Sequence, residues 1–221
     1  QGPSDSRGKP TSLSETFRGS RREAERRLRE LLGLVETGDY VRKSTHTVAD
    51  FLQKWLDTYV ATNTSLRTQQ GYRHYIRRHI GPTLGNIRLQ ALTAPQIQGL
   101  YVKMLGLGLS KRTVLHCHRV LKQALRFAVL WGDLMKNPAD VATPPRPEKY
   151  ELKAWDADTL DTFLDAAQDS QFREFYSMAA LTAMRRSELC GLKWDDVDLD
   201  HDSLRVVRTL QRIDGAGLVE G

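Results

Sequence analysis

The sequence predicts a mainly α-helical chain in two parts: a small four-helix unit, then the opening portion of an α+β unit. Three observations carry this. Apolar residues recur at spacings of three and four behind helix-start signals at Thr47, Thr93, Ser110 and Asp156. The proline cluster Thr143-Pro144-Pro145-Arg146-Pro147 interrupts that pattern, and the net charge changes sign just after it. Only beyond that cluster does an alternating, β-branched stretch occur, Ser203 to Leu210, followed by the hairpin signal Asp214-Gly215.

Taking the elements in order, residues 1–19 read as loop with at most a short strand near Leu13–Phe17. Ser20 and Glu23 form a capping box for a helix that places Ala24, Leu28, Leu31 and Val35 on one face and stops at Gly38. Its arginines, Arg21, Arg22, Arg26, Arg27 and Arg29, are interleaved with Glu23, Glu25 and Glu30. A self-paired solvated face and a nucleic-acid contact therefore both stay open. A second helix starts at Thr47 with Asp50 three positions on, and buries Val48, Phe51, Leu52, Trp55, Leu56 and Tyr59. A third covers Leu66 to Ile80 and ends at Gly81-Pro82, with Leu84-Gly85-Asn86-Ile87 as a turn. It carries Arg67, Arg73, Arg77 and Arg78 and almost no acid. The fourth opens on Thr93-Ala94-Pro95-Gln96, a capping residue followed by proline in the first turn and glutamine at the box position, and ends in Gly106-Leu107-Gly108. The fifth runs from Ser110 to Trp131 on a stripe of Val114, Leu121, Leu125 and Ala128, with Lys111, Arg112, Arg119, Lys122 and Arg126 elsewhere on it. In the second part, Asp156 caps a helix facing inward with Leu160, Phe163, Leu164 and Ala167, and another helix spans about Phe172 to Leu181. These readings divide the chain into 1–45, 46–142, a linker at 143–150, and 151–221.

Charge narrows the partner. Residues 1–150 hold 25 Lys and Arg against 12 Asp and Glu, a net of +13, whereas residues 151–221 hold 8 against 15, a net of −7. The basic helices lack the mixed signs of an ordinary solvated bundle, so the surplus points to a polyanion, DNA or RNA. Membrane is excluded as the partner: no apolar run spans a bilayer, and no basic helix carries an exposed Trp/Phe/Leu face. No signal-peptide pattern opens the chain, which reads as cytoplasmic, and Gln1 in place of Met hints at residues upstream. Cys117 and Cys190 form no CxxC and are expected to be buried, reduced thiols without a metal. His116 and His118 stand two apart on a helix, face different ways and mark no metal site.

The stretch Thr182-Ala183-Met184-Arg185-Arg186-Ser187-Glu188-Leu189-Cys190-Gly191-Leu192-Lys193-Trp194-Asp195-Asp196-Val197-Asp198 is similar to the first arginine motif of the tyrosine recombinases, the phage-integrase family. Thr182, Arg185, Glu188, Leu189, Leu192, Trp194, Asp196, Val197 and Asp198 stand in register, and Ala183 replaces the usual glycine of the turn that presents the arginine. Upstream, the opening Thr47-Val48-Ala49-Asp50-Phe51-Leu52, the Gly81–Gly85 turn and the Asn137-Pro138 exit resemble the family's SAM-like core-type DNA-binding domain. Residues 1–45 resemble the last strand and helix of an arm-type DNA-binding domain.

The resemblance implies site-specific recombination or integration on double-stranded DNA, with self-association on the DNA. Strand cleavage would proceed through a phosphotyrosine, without metal or small-molecule cofactor. Arg185 would grip two non-bridging phosphate oxygens with its permanently charged fork, supported by Glu188. Arg67, Arg73, Arg77, Arg78, Lys111, Arg112, Arg119, Lys122 and Arg126 would contact DNA. The family also uses a hairpin lysine as general acid, a His-x-x-Arg motif, a later His or Trp and a tyrosine nucleophile; the sequence read here shows none of these. The expectation is a fragment that binds DNA without cutting it; the alternative is a non-catalytic DNA-binding protein derived from an integrase.

Overall fold

The computed structural model describes residues 16–36, 44–149, 151 and 153–221, and they divide into two compact units between Glu148 and Lys149.

In the first unit, α1 (Arg21–Glu36) begins at the expected box: the Ser20 N–H donates to Glu23 Oε2 at 2.8 Å. Arg21 pairs with Glu25 at 3.0 Å and Arg27 with Glu30 at 3.2 Å, while Leu28 and Leu32 are exposed. Two of its arginines are thus self-paired, and Leu28, expected on the inner face, is exposed. Leu13, Gly38 and the side chain of Val35 lie outside the described residues, as does most of the strand expected near Leu13–Phe17.

The helical core begins at α2 (Val48–Trp55), where Thr47 and Asp50 cap each other reciprocally. A π-helical turn (Leu56–Val60) carries it into α3 (Ala61–Asn63). Next, α4 (Leu66–Tyr75) passes through a second π turn (Ile76–Ile80) into α5 (Gly81–Leu84). Here the expectation is corrected, because the helix does not end at Gly81-Pro82. Pro82 has no N–H to give and its ring crowds the preceding turn. The wider π turn, in which the Gly81 N–H reaches Ile76 O, makes room for it at the start of a new α turn. The stop is Gly85, whose N–H bonds Gly81 O at 2.9 Å; a Cβ there would lie 2.5 Å from that oxygen. After a 3-10 turn (Leu89–Ala91) come α6 (Ala94–Gly106), capped by Thr93 and Gln96, and α7 (Lys111–Leu130), capped by Ser110.

These helices bury one continuous core. Val48, Leu52, Trp55, Ile97, Leu100, Val114, Leu121 and Leu125 are fully or almost fully enclosed. Each large side chain so buried contributes about 1.5–3 kcal/mol. A 3-10 turn (Pro138–Asp140) follows, held by Asn137, whose amide donates to Lys122 O at 3.0 Å. Residues 143–148 carry neither helix nor strand, as the prolines predict. The Thr143 N–H bonds Gln98 Oε1 and Glu148 pairs with Lys111, which tie this segment to α6 and α7.

The second unit holds α8 (Ala157–Ala166), capped by Asp156, then α9 (Arg173–Thr182) and α10 (Arg186–Gly191). A 3-10 turn (Trp194–Asp196) leads to β1 (Val197–Asp198), which pairs antiparallel with β2 (Ser203–Leu204). Last comes a hairpin of β3 (Leu210–Ile213) and β4 (Gly217–Glu220), turning at Asp214-Gly215 with Gly215 at φ 79°. The single strand expected from Ser203 to Leu210 is therefore two strands with a break. Asp196 causes it: its carbonyl takes the Arg205 N–H at 2.8 Å and its carboxylate takes the Arg208 guanidinium. The chain is drawn toward α10 between the two strands, leaving Val206 and Val207 exposed despite their alternating pattern.

Candidate phosphate site and nucleic-acid interface

The motif arginine is presented by a turn. At the end of α9 the Thr182 hydroxyl donates to Met178 O at 2.6 Å and accepts the Met184 N–H at 3.4 Å. Ala183 then adopts the left-handed conformation, φ 52° and ψ 22°. That is the backbone a glycine takes without steric cost. The turn delivers Arg185, extended at φ −67° and ψ 148°, to the head of α10. There Glu188 holds it twice: Oε2 accepts the Arg185 backbone N–H and Oε1 accepts Nη1, both at 2.8 Å. The Arg185 side chain is 83% exposed and that of Glu188 only 15%. The carboxylate is thus the anchored partner, and the guanidinium keeps its remaining N–H groups toward solvent. The bonds from Arg185, backbone first, hold the Glu188 carboxyl below the usual range. Arg186, the next residue, makes no such pair among the described residues.

Behind this site lies a cluster that sequence reading missed. Arg208 donates from Nη2 to Asp196 Oδ1 at 3.2 Å and from Nη1 to Oδ2, and its Nε lies 3.1 Å from Glu220 Oε1. Glu220 also pairs with Lys193 at 3.1 Å. The one available signal was Asp196 within the motif, an acid whose only nearby partner in sequence is the Lys193 backbone N–H among the described residues.

In the first unit all nine arginines and lysines singled out for DNA contact are exposed. Arg67, Arg77, Arg78, Arg112, Arg119 and Arg126 have no acidic partner among the described residues. Lys111 pairs with Glu148, Lys122 with Asp140 at 3.0 Å, and Arg73 donates to Gln69 Oε1. Arg119, Lys122 and Arg126 line an open groove of about 750 Å³, joined by Lys136 from the loop beyond α7. Val129, Leu130, Met135 and Val141 give the groove an apolar lining. Lys136 escaped sequence reading because it lies off the helical pattern.

Two sequences of His-x-x-Arg spacing do stand here, His74–Arg77 and His116–Arg119, which corrects the expectation that none occurs. Both lie on helices of the first unit, ahead of the arginine motif. His116 packs against Tyr75, which also touches His74 and His79. His118 is buried, with Nδ1 2.5 Å from the Tyr101 hydroxyl. Cys117 is buried and its thiol is pushed up to about 12, but Cys190 is exposed, contrary to expectation. Among the described residues no three His, Cys, Asp or Glu side chains gather as metal ligands would. No described helix is long and apolar enough to cross a membrane. Tyr176, in the second unit, packs half-buried against Phe163; Tyr40 and Tyr150 lie outside the described residues.

Residues 47–105 match the family model for the phage integrase N-terminal SAM-like domain. The chain is 27% identical over 209 residues to a tyrosine recombinase XerC-like protein of Caldanaerobacter subterraneus subsp. tengcongensis, covering 90% of this chain and 53% of that one. Over most of its length the chain is thus similar to tyrosine recombinases of the phage integrase kind. An integrase of Saccharopolyspora erythraea is 27% identical over 75% of this chain and 38% of its own length. The chain thus spans about half or less of the length of these two curated relatives. Among solved structures, the Tn1549 transposon integrase in complex with circular intermediate DNA aligns with a TM-score of 0.70 at 23% identity, over 80% of this chain and 59% of that one. A λ integrase dimer bound to a core site aligns at 0.61 and 19%, over 79% and 62%. At these identities the two structures speak for the family fold alone.

Proposed function

We propose that this chain holds duplex DNA with its basic helical unit and grips the phosphate to be cut with Arg185. Residues 46–142 serve as the core-type DNA-binding domain, 1–45 as a remnant of an arm-type domain, 143–150 as linker and 151–221 as the start of the catalytic domain. The observation that carries this reading is Arg185 itself. It is the exposed guanidinium of an in-register motif, fixed by a sheltered carboxylate that leaves its other donors unused. When a tyrosine oxygen attacks phosphorus and the 5′ oxygen leaves, negative charge grows on the non-bridging oxygens. A planar donor fork fixed beforehand stabilises that charge without reorganising. The nine exposed arginines and lysines neutralise backbone phosphates.

The 221 residues alone bind but do not cut. Tyr176 is packed on Phe163, and the described tyrosines of the first unit belong to its helices. Self-association on DNA fits the dimeric λ integrase complex. A salt titration of duplex affinity tests the binding half: a log–log slope of about −0.9 per phosphate contacted is expected. An affinity indifferent to salt would overturn it.

A further inference from the structure

We propose that Arg208 is a positioning residue for Arg185, clamping the β3–β4 hairpin onto the helix that Arg185 heads. The inference rests on the reading of Arg185 as the phosphate grip.

One guanidinium reaches three different elements. It donates to both oxygens of Asp196 in the 3-10 turn, lies 3.1 Å from Glu220 at the end of β4, and approaches Gly191 O, the last residue of α10, at 3.5 Å. The Arg208 and Asp196 side chains are 18% and 8% exposed, so this pair is more sheltered from water and salt than the surface ion pairs of α1. Backbone packing agrees. Gly191 is buried, and a Cβ there would lie 3.0 Å from Arg208 O and 3.1 Å from Leu210 N. Helix and strand backbones are in contact, with no room for a side chain between them. Beyond Arg208, Thr209 and Gly221 exchange backbone hydrogen bonds at 2.7 and 2.9 Å, which carries the hairpin ladder up to the clamp.

The helix α10 is short, six residues, or about 9 Å at 1.5 Å per residue. Glu188 fixes Arg185 at its head, and Arg208 with Gly191 fixes its tail. So short a helix moves as one piece, and a tail left unclamped tilts the head that presents the guanidinium. Removing Arg208 also leaves Glu220 paired with the Lys193 ammonium and Asp196 accepting the Lys193 backbone N–H, with no guanidinium joining the two.

The test uses the 221-residue chain and needs no cleavage. The Arg185 side-chain Nε resonance is followed by NMR as inorganic phosphate is added, against sodium chloride of matched ionic strength. In the unaltered chain the resonance shifts and saturates. In Arg208→Gln the apparent phosphate affinity falls about tenfold, within the range that small misplacements of a contact cost, while α8 and α9 amide resonances stay in place. Arg208→Lys, which keeps the charge, recovers part of the loss. If Arg208→Gln disturbs α8 and α9, Asp196→Asn, of nearly the same shape, is read in its place. Unchanged phosphate affinity in the variant that stays folded overturns the positioning role and leaves the Arg185 reading standing. An Arg185 resonance indifferent to phosphate in the unaltered chain overturns both. A loss matched by general disturbance of α8 and α9 in both variants also overturns the role, because it marks a merely structural part.

Discussion

The carboxylate of Glu188 holds Arg185 at backbone and side chain together, at 2.8 Å each. A carboxylate has the acceptor capacity for both bonds; a glutamine has one oxygen and an amide that is itself a donor. Glu188→Gln is therefore expected to keep the cap with its one oxygen and release the guanidinium. Arginine side-chain relaxation is the measurement, with the Arg185 Nε order parameter falling toward that of Arg186. An Arg185 side chain as rigid in the variant as before would mean that Glu188 does not orient it.

Ala183 sits in a left-handed turn two residues before that arginine, at φ 52°. A Cβ in this conformation costs roughly 1–2 kcal/mol, part of which glycine gives back through its freer unfolded chain. Ala183→Gly is expected to raise the stability of the second unit by about 1 kcal/mol, read by denaturant unfolding, and Ala183→Val to lower it. A destabilising glycine would show that the turn is not left-handed in solution.

Protons act on both units with the same sign. His118 is held below its ordinary value of 6.5, by burial first and then by Lys122 and Arg119. Its neutral form is the one the fold accepts. Stability is fully present above 6.5 and is lost as pH falls through the lower folded value. Asp196, lowered chiefly by its bond from Arg208, and Glu188, lowered chiefly by the Arg185 N–H, behave likewise in the acid range. Their contribution is complete above the ordinary carboxylate values and disappears below the depressed ones. Thermal unfolding across pH should therefore show the first unit weakening before the second. His118→Gln should flatten the earlier phase, and Tyr101→Phe, which strands a buried partner, should cost about 1–3 kcal/mol at neutral pH. An earlier phase untouched by His118→Gln contradicts the assignment.

Local rules made much of this molecule legible. Capping boxes at Ser20, Thr47 and Thr93, and the cap at Ser110, sit where short-range hydrogen bonding puts them, and the stripes behind the last three are the buried core. The arginine motif placed Arg185 and Glu188 together because a three-residue separation at a helix start leaves little geometric choice. What escaped depends on partners distant in sequence or on subtle backbone width. The π turn that carries the helix past Pro82 has no residue signature. Lys136 joins Arg119 only through the return of the chain after α7, and Arg208 finds Asp196 only when the hairpin folds back. The alternation at 203–210 misled for the same reason, since a long-range ion pair overrode local strand preference.

Covalent trapping on a suicide DNA substrate, with a form of the protein that carries a tyrosine nucleophile, decides whether Arg185 grips the phosphate being cut. Arg185→Lys keeps the charge but not the fork, and adduct formation is expected to slow about a hundredfold or more with DNA binding nearly unchanged, the cost of one lost transition-state donor. Arg186→Ala should trap at close to the parental rate, and the 221-residue chain alone should trap nothing. If Arg186→Ala abolishes the adduct while Arg185→Ala does not, or if the 221 residues form one by themselves, the account is wrong.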